Sequence, residues 1–234
     1  MSEYLAEYLG TLMLVLLGDG VVANVVLNKT KGQNSGWIVI TTGWALAVAI
    51  PVFIFGPISG AHINPAVTIA MASIGNFAWS KVPGFIAAQM AGAFTGAILV
   101  WLHYRPHFDA TPDKAAKLGV FCTAPAIRDW SSNMIGEFIG TFVLVFGILG
   151  VANTKMAGGI SPLVVGAIVF VVGLTLGGTT GYAINPARDL GPRLAHAVLP
   201  IKDKGSSDWG YSWLPVVMPI LGGLVGALIY NIIF

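Results

Sequence analysis

Charge is what this sequence has least of. Charged residues make up 9% of its 234 positions, against about 25% in ordinary soluble domains. A deficit spread over the whole length argues against a chain with a fully water-facing surface. The 12 basic residues are scattered and form no stripe that could follow a phosphate backbone, so nucleic-acid binding is excluded as a role. Cysteine is nearly absent, and Cys122 alone can make neither an internal disulfide nor a cysteine-only metal site. The other candidate ligands, His62, His103, His107 and His196, show no metal spacing, so neither a metal nor a cofactor is expected. No Ser/His/Asp set gathers in one place, which argues against an enzyme. No basic segment precedes the first apolar run, and that run outlasts a signal-peptide core. It is expected to be a retained span rather than a cleaved leader.

What the chain has instead is apolar length. Hydrophobic residues reach 56% and the mean hydropathy is +0.80. Its 30 glycines suit helices packed closely in lipid. A span needs roughly 20 apolar residues, and six stretches qualify: 5–27, 37–55, 82–104, 134–152, 163–176 (with extension at both ends) and 213–234. The charges and prolines between 105 and 132 read as a long loop. Two further apolar pieces, 58–73 and 182–199, are too short to cross, and each contains Asn-Pro-Ala. A helix of about 10 residues covers only about 15 Å. These pieces are therefore surface loops or half-helices dipping in from opposite faces. Irregular backbone at membrane depth is tolerated only where it is buried or lines a cavity.

The chain also repeats itself. Glu7-Tyr8-Leu9-Gly10-Thr11 begins one half and Glu137-Phe138-Ile139-Gly140-Thr141 the other. Each half later carries Gly-x-x-x-Asn-Pro-Ala, over residues 60–66 and 181–187. Three spans per half place the halves, 1–104 and 133–234, in opposite orientations, joined by residues 105–132. Inverted repeats of this kind put functional sites near the midplane. The expected fold is an all-alpha membrane protein of six transmembrane helices plus two re-entrant half-helices. Pro65 and Pro186 suit the first position of a helix, where a missing N–H is harmless. Asn64 and Asn185 would cap those helices, with Ala66 and Ala187 following. Two positive helix ends would then meet at the membrane centre. The Asn amides would face the lumen as donors, and the extended residues before each cap would offer carbonyls. Cations would meet the positive ends, and a proton wire would be interrupted there.

These motifs resemble those of the major intrinsic protein family, the aquaporins and glycerol facilitators. The markers are Ser59-Gly60-Ala61-His62-Ile63-Asn64-Pro65-Ala66-Val67-Thr68 and Gly181-Tyr182-Ala183-Ile184-Asn185-Pro186-Ala187-Arg188-Asp189. The resemblance covers essentially the whole chain. It implies a homotetramer with one pore per subunit, with Glu7 and Glu137 as buried supports for the loops before the half-helices. By motif spacing, the family's four-residue constriction falls on Trp44, Gly173, Tyr182 and Arg188. Water-selective members have histidine at the Gly173 position and phenylalanine at the Trp44 position, so the glycine is expected to open the constriction. Trp44 and Tyr182 would then form an apolar corner and Arg188 a donor wall. Asp189 is similar to the glycerol-conducting branch and is grouped with His62 as structural support. His62 either lines the lumen or braces its loop.

The resemblance implies a passive channel for glycerol and other small neutral solutes, with water permeation, in a bacterial cell membrane. Dihydroxyacetone and protonated lactic acid are further candidate solutes. A water-selective or lactic-acid-permeable channel is the alternative, and a coupled secondary transporter is the rival from another class. Asp19, deep in the first span, has no partner legible in the sequence. The pairs Gly92/Gly96 and Gly222/Gly226 read as close helix crossings. With the N-terminus inside, as the resemblance implies, Lys29, Lys31, Arg105, Lys114, Lys117, Arg128, Lys202 and Lys204 lie outside. Only Lys81 and Lys155 lie in inner loops, opposite to the positive-inside rule.

Overall fold

The structure is a computed structural model that describes residues 1–234. It contains nine α-helices and no strand: α1 Glu3–Val26, α2 Trp37–Ser59, α3 Pro65–Ser73, α4 Val82–Ala110, α5 Lys114–Phe121, α6 Trp130–Ala152, α7 Ile160–Thr175, α8 Pro186–Val198 and α9 Leu214–Ile233. Five of them are long and apolar enough to cross a membrane: α1, α2, α4 (with the 3₁₀ turn before it), α6 and α9. Helix α7 has 16 residues, about 24 Å at 1.5 Å per residue, and is the short sixth. The reading of 105–132 as one loop needs correction. Helix α4 runs on through Arg105 and Pro106 to Ala110, α5 occupies the middle, and α6 begins at Trp130. Polar sequence concealed this helical backbone, because a helix that emerges from lipid no longer needs apolar side chains.

Local signals explain the ends. Ser2 accepts from the Leu5 amide at 3.2 Å and caps α1. Asp113 caps α5, and Asp129 accepts from the Ser132 amide at 2.8 Å to cap α6. Gly60, at φ +83°, closes α2 in the left-handed conformation.

Packing follows the sequence repeat. Helix α1 packs on α4 as α6 packs on α9, and α1 on α2 as α6 on α7. Each short helix leans on the last span of the other half, α3 on α9 and α8 on α4. The closest approaches are at glycine. A Cβ on Gly92 would lie 2.2 Å from the Tyr8 carbonyl oxygen, and one on Gly222 would lie 2.2 Å from that of Phe138. The matching contacts of Gly96 and Gly226, on the Leu12 and Phe142 carbonyls, are 2.6 and 2.9 Å. Large apolar side chains such as Phe53, Leu163 and Ile232 point outward, as a lipid-facing surface requires. Trp37, Trp79, Trp130, Trp209 and Trp213, all near helix ends, are exposed as well, the distribution of an interfacial belt.

Candidate functional site

The two Asn-Pro-Ala segments meet inside the bundle. Asn64 accepts from the Ala66 amide at 2.9 Å, and Asn185 from those of Ala187 and Arg188 at 3.0 and 3.3 Å. Pro65 and Pro186 occupy the first helical positions of α3 and α8. The Asn64 amide nitrogen donates to the Ile184 carbonyl at 2.8 Å, and that of Asn185 to the Ile63 carbonyl at 2.8 Å. This modifies the expectation of two lumenal donors. One N–H of each asparagine ties the two loops together, which leaves the second N–H for solute. The Ile63 and Ile184 carbonyls are correspondingly engaged.

The loops before the caps are strained in matching fashion. Gly60, Ala61 and Ile63 have φ of +83°, +45° and +44°; Gly181, Tyr182 and Ile184 have +85°, +38° and +41°. Left-handed backbone at alanine, tyrosine and above all isoleucine is rare and needs surrounding structure to hold it. The two buried glutamates supply that. Glu7 accepts from Ser59 Oγ at 2.7 Å, the His62 amide at 2.9 Å, the Ile63 amide at 2.7 Å and Gln89 Nε2 at 2.8 Å. Glu137 accepts from Thr180 Oγ1 at 2.6 Å and from the Ala183 and Ile184 amides, both at 2.9 Å. His62 borders the inner cavity, and its Nδ1 lies 3.2 Å from Thr68 Oγ1 while its ring packs on Phe77 and Phe85. Gln89 and Thr68 complete this support; Thr68 ends the first marker motif, whereas Gln89 carried no signal in the sequence.

Two cavities run through the bundle. The inner one, about 240 Å³, is bordered by both cap asparagines, by Gly60, Ala61 and His62, and by an apolar wall including Val48, Val52, Leu144 and Val169. The outer one, about 730 Å³, opens among Asn34, Trp37, Asp113 and Thr123. Trp44, Tyr182 and Arg188 border both, so they stand at the junction. The Arg188 guanidinium lies 4.1 Å from the centre of the Trp44 ring. Gly173 borders neither cavity. A Cβ there would meet the Tyr182 ring at 2.8 Å and Thr41 at 2.9 Å. The expected opening is therefore corrected: the room left by the missing side chain is filled by Tyr182. Trp37 holds this corner, its Nε1 donating to the Gly173 carbonyl at 2.9 Å and its ring meeting that of Tyr182 edge to face. Asp19, without a legible partner in the sequence, lies 3.9 Å from Arg188.

The junction matches a known architecture. Residues 1–230 match the family model described as Major intrinsic protein. The chain belongs to the major intrinsic protein family. It is 64% identical over 234 residues, all of both chains, to a probable glycerol uptake facilitator protein of Thermotoga maritima. It is 54% identical to the glycerol uptake facilitator protein of Bacillus subtilis, over all of this chain and 85% of the relative. Among solved structures it resembles the aquaglyceroporin from Plasmodium falciparum, with a TM-score of 0.87 at 34% identity, over 98% of this chain and 94% of the other. The fold of this major intrinsic protein is thus a multi-span helical bundle of the aquaporin type, and the chain is a multi-pass membrane protein of non-catalytic character.

Asp189 braces the outer side of the junction. It accepts from the Thr123 amide and hydroxyl at 2.7 and 2.6 Å, and from Arg193 at 2.9 and 2.7 Å. Arg193 then donates to the carbonyls of Ser207 and Thr123, clamping the outer loops onto α8. The i,i+4 spacing from Asp189 to Arg193 is a legible signal for this pair. In the outer loops, Lys204 donates to three carbonyls at the end of α8, those of His196, Ala197 and Leu199. Burial lowers the pKa of its ammonium.

Proposed function

We propose that this protein is a passive channel for glycerol and other small neutral solutes, and that water passes by the same route. The observation that carries the reading is the junction of the two cavities, where two aromatic rings and one guanidinium face a common passage. A polyol presents a carbon backbone on one side and hydroxyl groups on the other. The Trp44 and Tyr182 rings suit the carbons, and Arg188 donates to hydroxyl oxygens. Past the junction, the spare N–H groups of Asn64 and Asn185 replace solvent hydrogen bonds. The apolar wall opposite offers an ion nothing in exchange for its hydration. The positive ends of α3 and α8 oppose cations where the caps meet.

In this reading Trp44, Tyr182 and Arg188 form the selectivity filter, and Gly173 acts through the place it gives the Tyr182 ring. Dihydroxyacetone and protonated lactic acid have the same size and neutrality and belong to the same solute class. The relatives' names, glycerol uptake facilitator and aquaglyceroporin, support glycerol as the reference solute. The protein is further proposed to assemble as a homotetramer in a bacterial cell membrane, each subunit with its own pore.

Light-scattering flux in proteoliposomes tests this directly, with glycerol compared against water, ribitol and lactic acid at low pH. Rapid glycerol entry is expected, without saturation and without need of a second ion's gradient. Gly173→His places a ring where Tyr182 now sits and is expected to slow glycerol sharply while sparing water more. Fast water with negligible glycerol entry in the wild type would overturn the reading.

A further inference from the structure

The filter reading leaves one buried acid unused. Asp19 lies in α1, a span whose Leu14 borders the inner cavity and whose Val22 borders the outer one, and its own side chain is fully buried. Neither of its carboxylate oxygens has a hydrogen-bond partner, and it borders neither cavity. Its Oδ1 lies 3.9 Å from Nη1 of Arg188, and that nitrogen is itself buried without a hydrogen-bond partner. The residue before it, Gly18, makes the approach possible. A Cβ on Gly18 would fall 2.2 Å from the Trp44 ring, so the indole lies directly against the α1 backbone. Arg188 is thus held between an aromatic face at 4.1 Å and a carboxylate at 3.9 Å, both backed by the same turn of α1.

We infer that Asp19 is a positioning residue for the solute filter, and that it does its work through Arg188. Arg188 is the third residue of α8, a poor place for a cation because the helix N-terminus is itself positive. A buried guanidinium with no opposite charge nearby is strongly disfavoured. The Asp19 carboxylate offsets both effects and draws Nη1 away from the passage. The face and the remaining N–H groups of Arg188 are then left at the junction for solute. Without the carboxylate, the guanidinium turns toward the water-filled passage to regain solvation. There it narrows the route for a three-carbon polyol more than for water.

This inference rests on the filter reading above, and the experiment separates the two. Glycerol and water permeabilities are measured in proteoliposomes for the wild type, Asp19→Asn, Asp19→Ser, Arg188→Ala and the Asp19→Asn/Arg188→Ala double variant. Protein amount and thermal midpoint in detergent are matched across the set. Asp19→Asn keeps the shape and loses the charge; Asp19→Ser loses the charge with less bulk. Both are expected to lower the glycerol-to-water ratio by roughly threefold to tenfold, in the lower part of the range of couplings between contacting residues. In the Arg188→Ala background, Asp19→Asn is expected to change nothing further. A wild-type ratio in both Asp19 variants overturns the inference. So does an equal fall with Arg188 already removed, since Asp19 then acts by another route. If Arg188→Ala itself leaves the ratio unaltered, the filter reading fails and this inference fails with it.

Discussion

At the residue scale, the site depends on buried charges that face backbone rather than solute. Glu7 and Glu137 each bind two consecutive amides of a strained loop, and each takes a hydroxyl from the residue that opens it, Ser59 or Thr180. A carboxylate suits this because it only accepts, and every partner here donates. Glu137→Gln is isosteric but turns one acceptor into a donor opposite a donor. Charge-assisted hydrogen bonds are worth about 1.5–3 kcal/mol each, so a loss of about 2–4 kcal/mol is expected. Thermal or denaturant unfolding in detergent measures it, and glycerol flux should fall with it as the loop before Asn185 relaxes. Unchanged stability would mean that the loop keeps its left-handed residues by other means.

At the element scale, the glycines on α4 and α9 decide how close the helices come. The Gly92 and Gly222 contacts are with carbonyl oxygens, which cannot move aside as a flexible side chain can. Gly92→Ala and Gly222→Ala should each cost about 1–3 kcal/mol by overpacking. Gly20→Ala is the contrasting case: nothing lies within 4 Å of its added Cβ, and helix propensity favours alanine there by about 0.5–1 kcal/mol. Opposite shifts in the thermal midpoint are therefore expected from the same substitution. If Gly92→Ala and Gly20→Ala behave alike, the crossings are looser than drawn. The short helices depend on tertiary contacts in another way. Helix α3 has nine residues, too few to persist alone in water. The Asn64 cap and the packing of α3 on α9 hold it.

At the scale of the whole molecule, the resemblance and the charge count disagree about which side is inside. The structure shows why charge is a poor guide here. Lys117 is buried with its ammonium on the Lys202 carbonyl, Lys204 caps α8, and Arg128 pairs with Asp208. These cations are engaged within their own loops rather than free to interact with lipid headgroups or a translocation apparatus. Single-cysteine labelling in intact cells settles the orientation, since the native Cys122 is buried. Exposed Ser35 and Ser206 changed to cysteine should react with an impermeant thiol reagent from outside. Ser80→Cys and Thr154→Cys should react only after the membrane is opened. The reverse pattern would place the N-terminus outside.

The spans, the doubled Asn-Pro-Ala, the paired glutamates and the glycine crossings were legible in order along the chain. Lipid imposes length and apolarity on spans, and a proline after a capping asparagine marks a helix start wherever it occurs. Trp44, Tyr182 and Arg188 were implied as filter positions by the family resemblance, carried over at their distances from those motifs, and the structure brings all three to the junction of the two cavities. What spacing could not reveal was contact between elements remote in sequence. The Tyr182 ring fills the space beside Gly173, and Asp19 backs Arg188 from 169 positions away. Side-chain direction and helix approach determine such contacts, and they exist only once both halves have folded around the same passage.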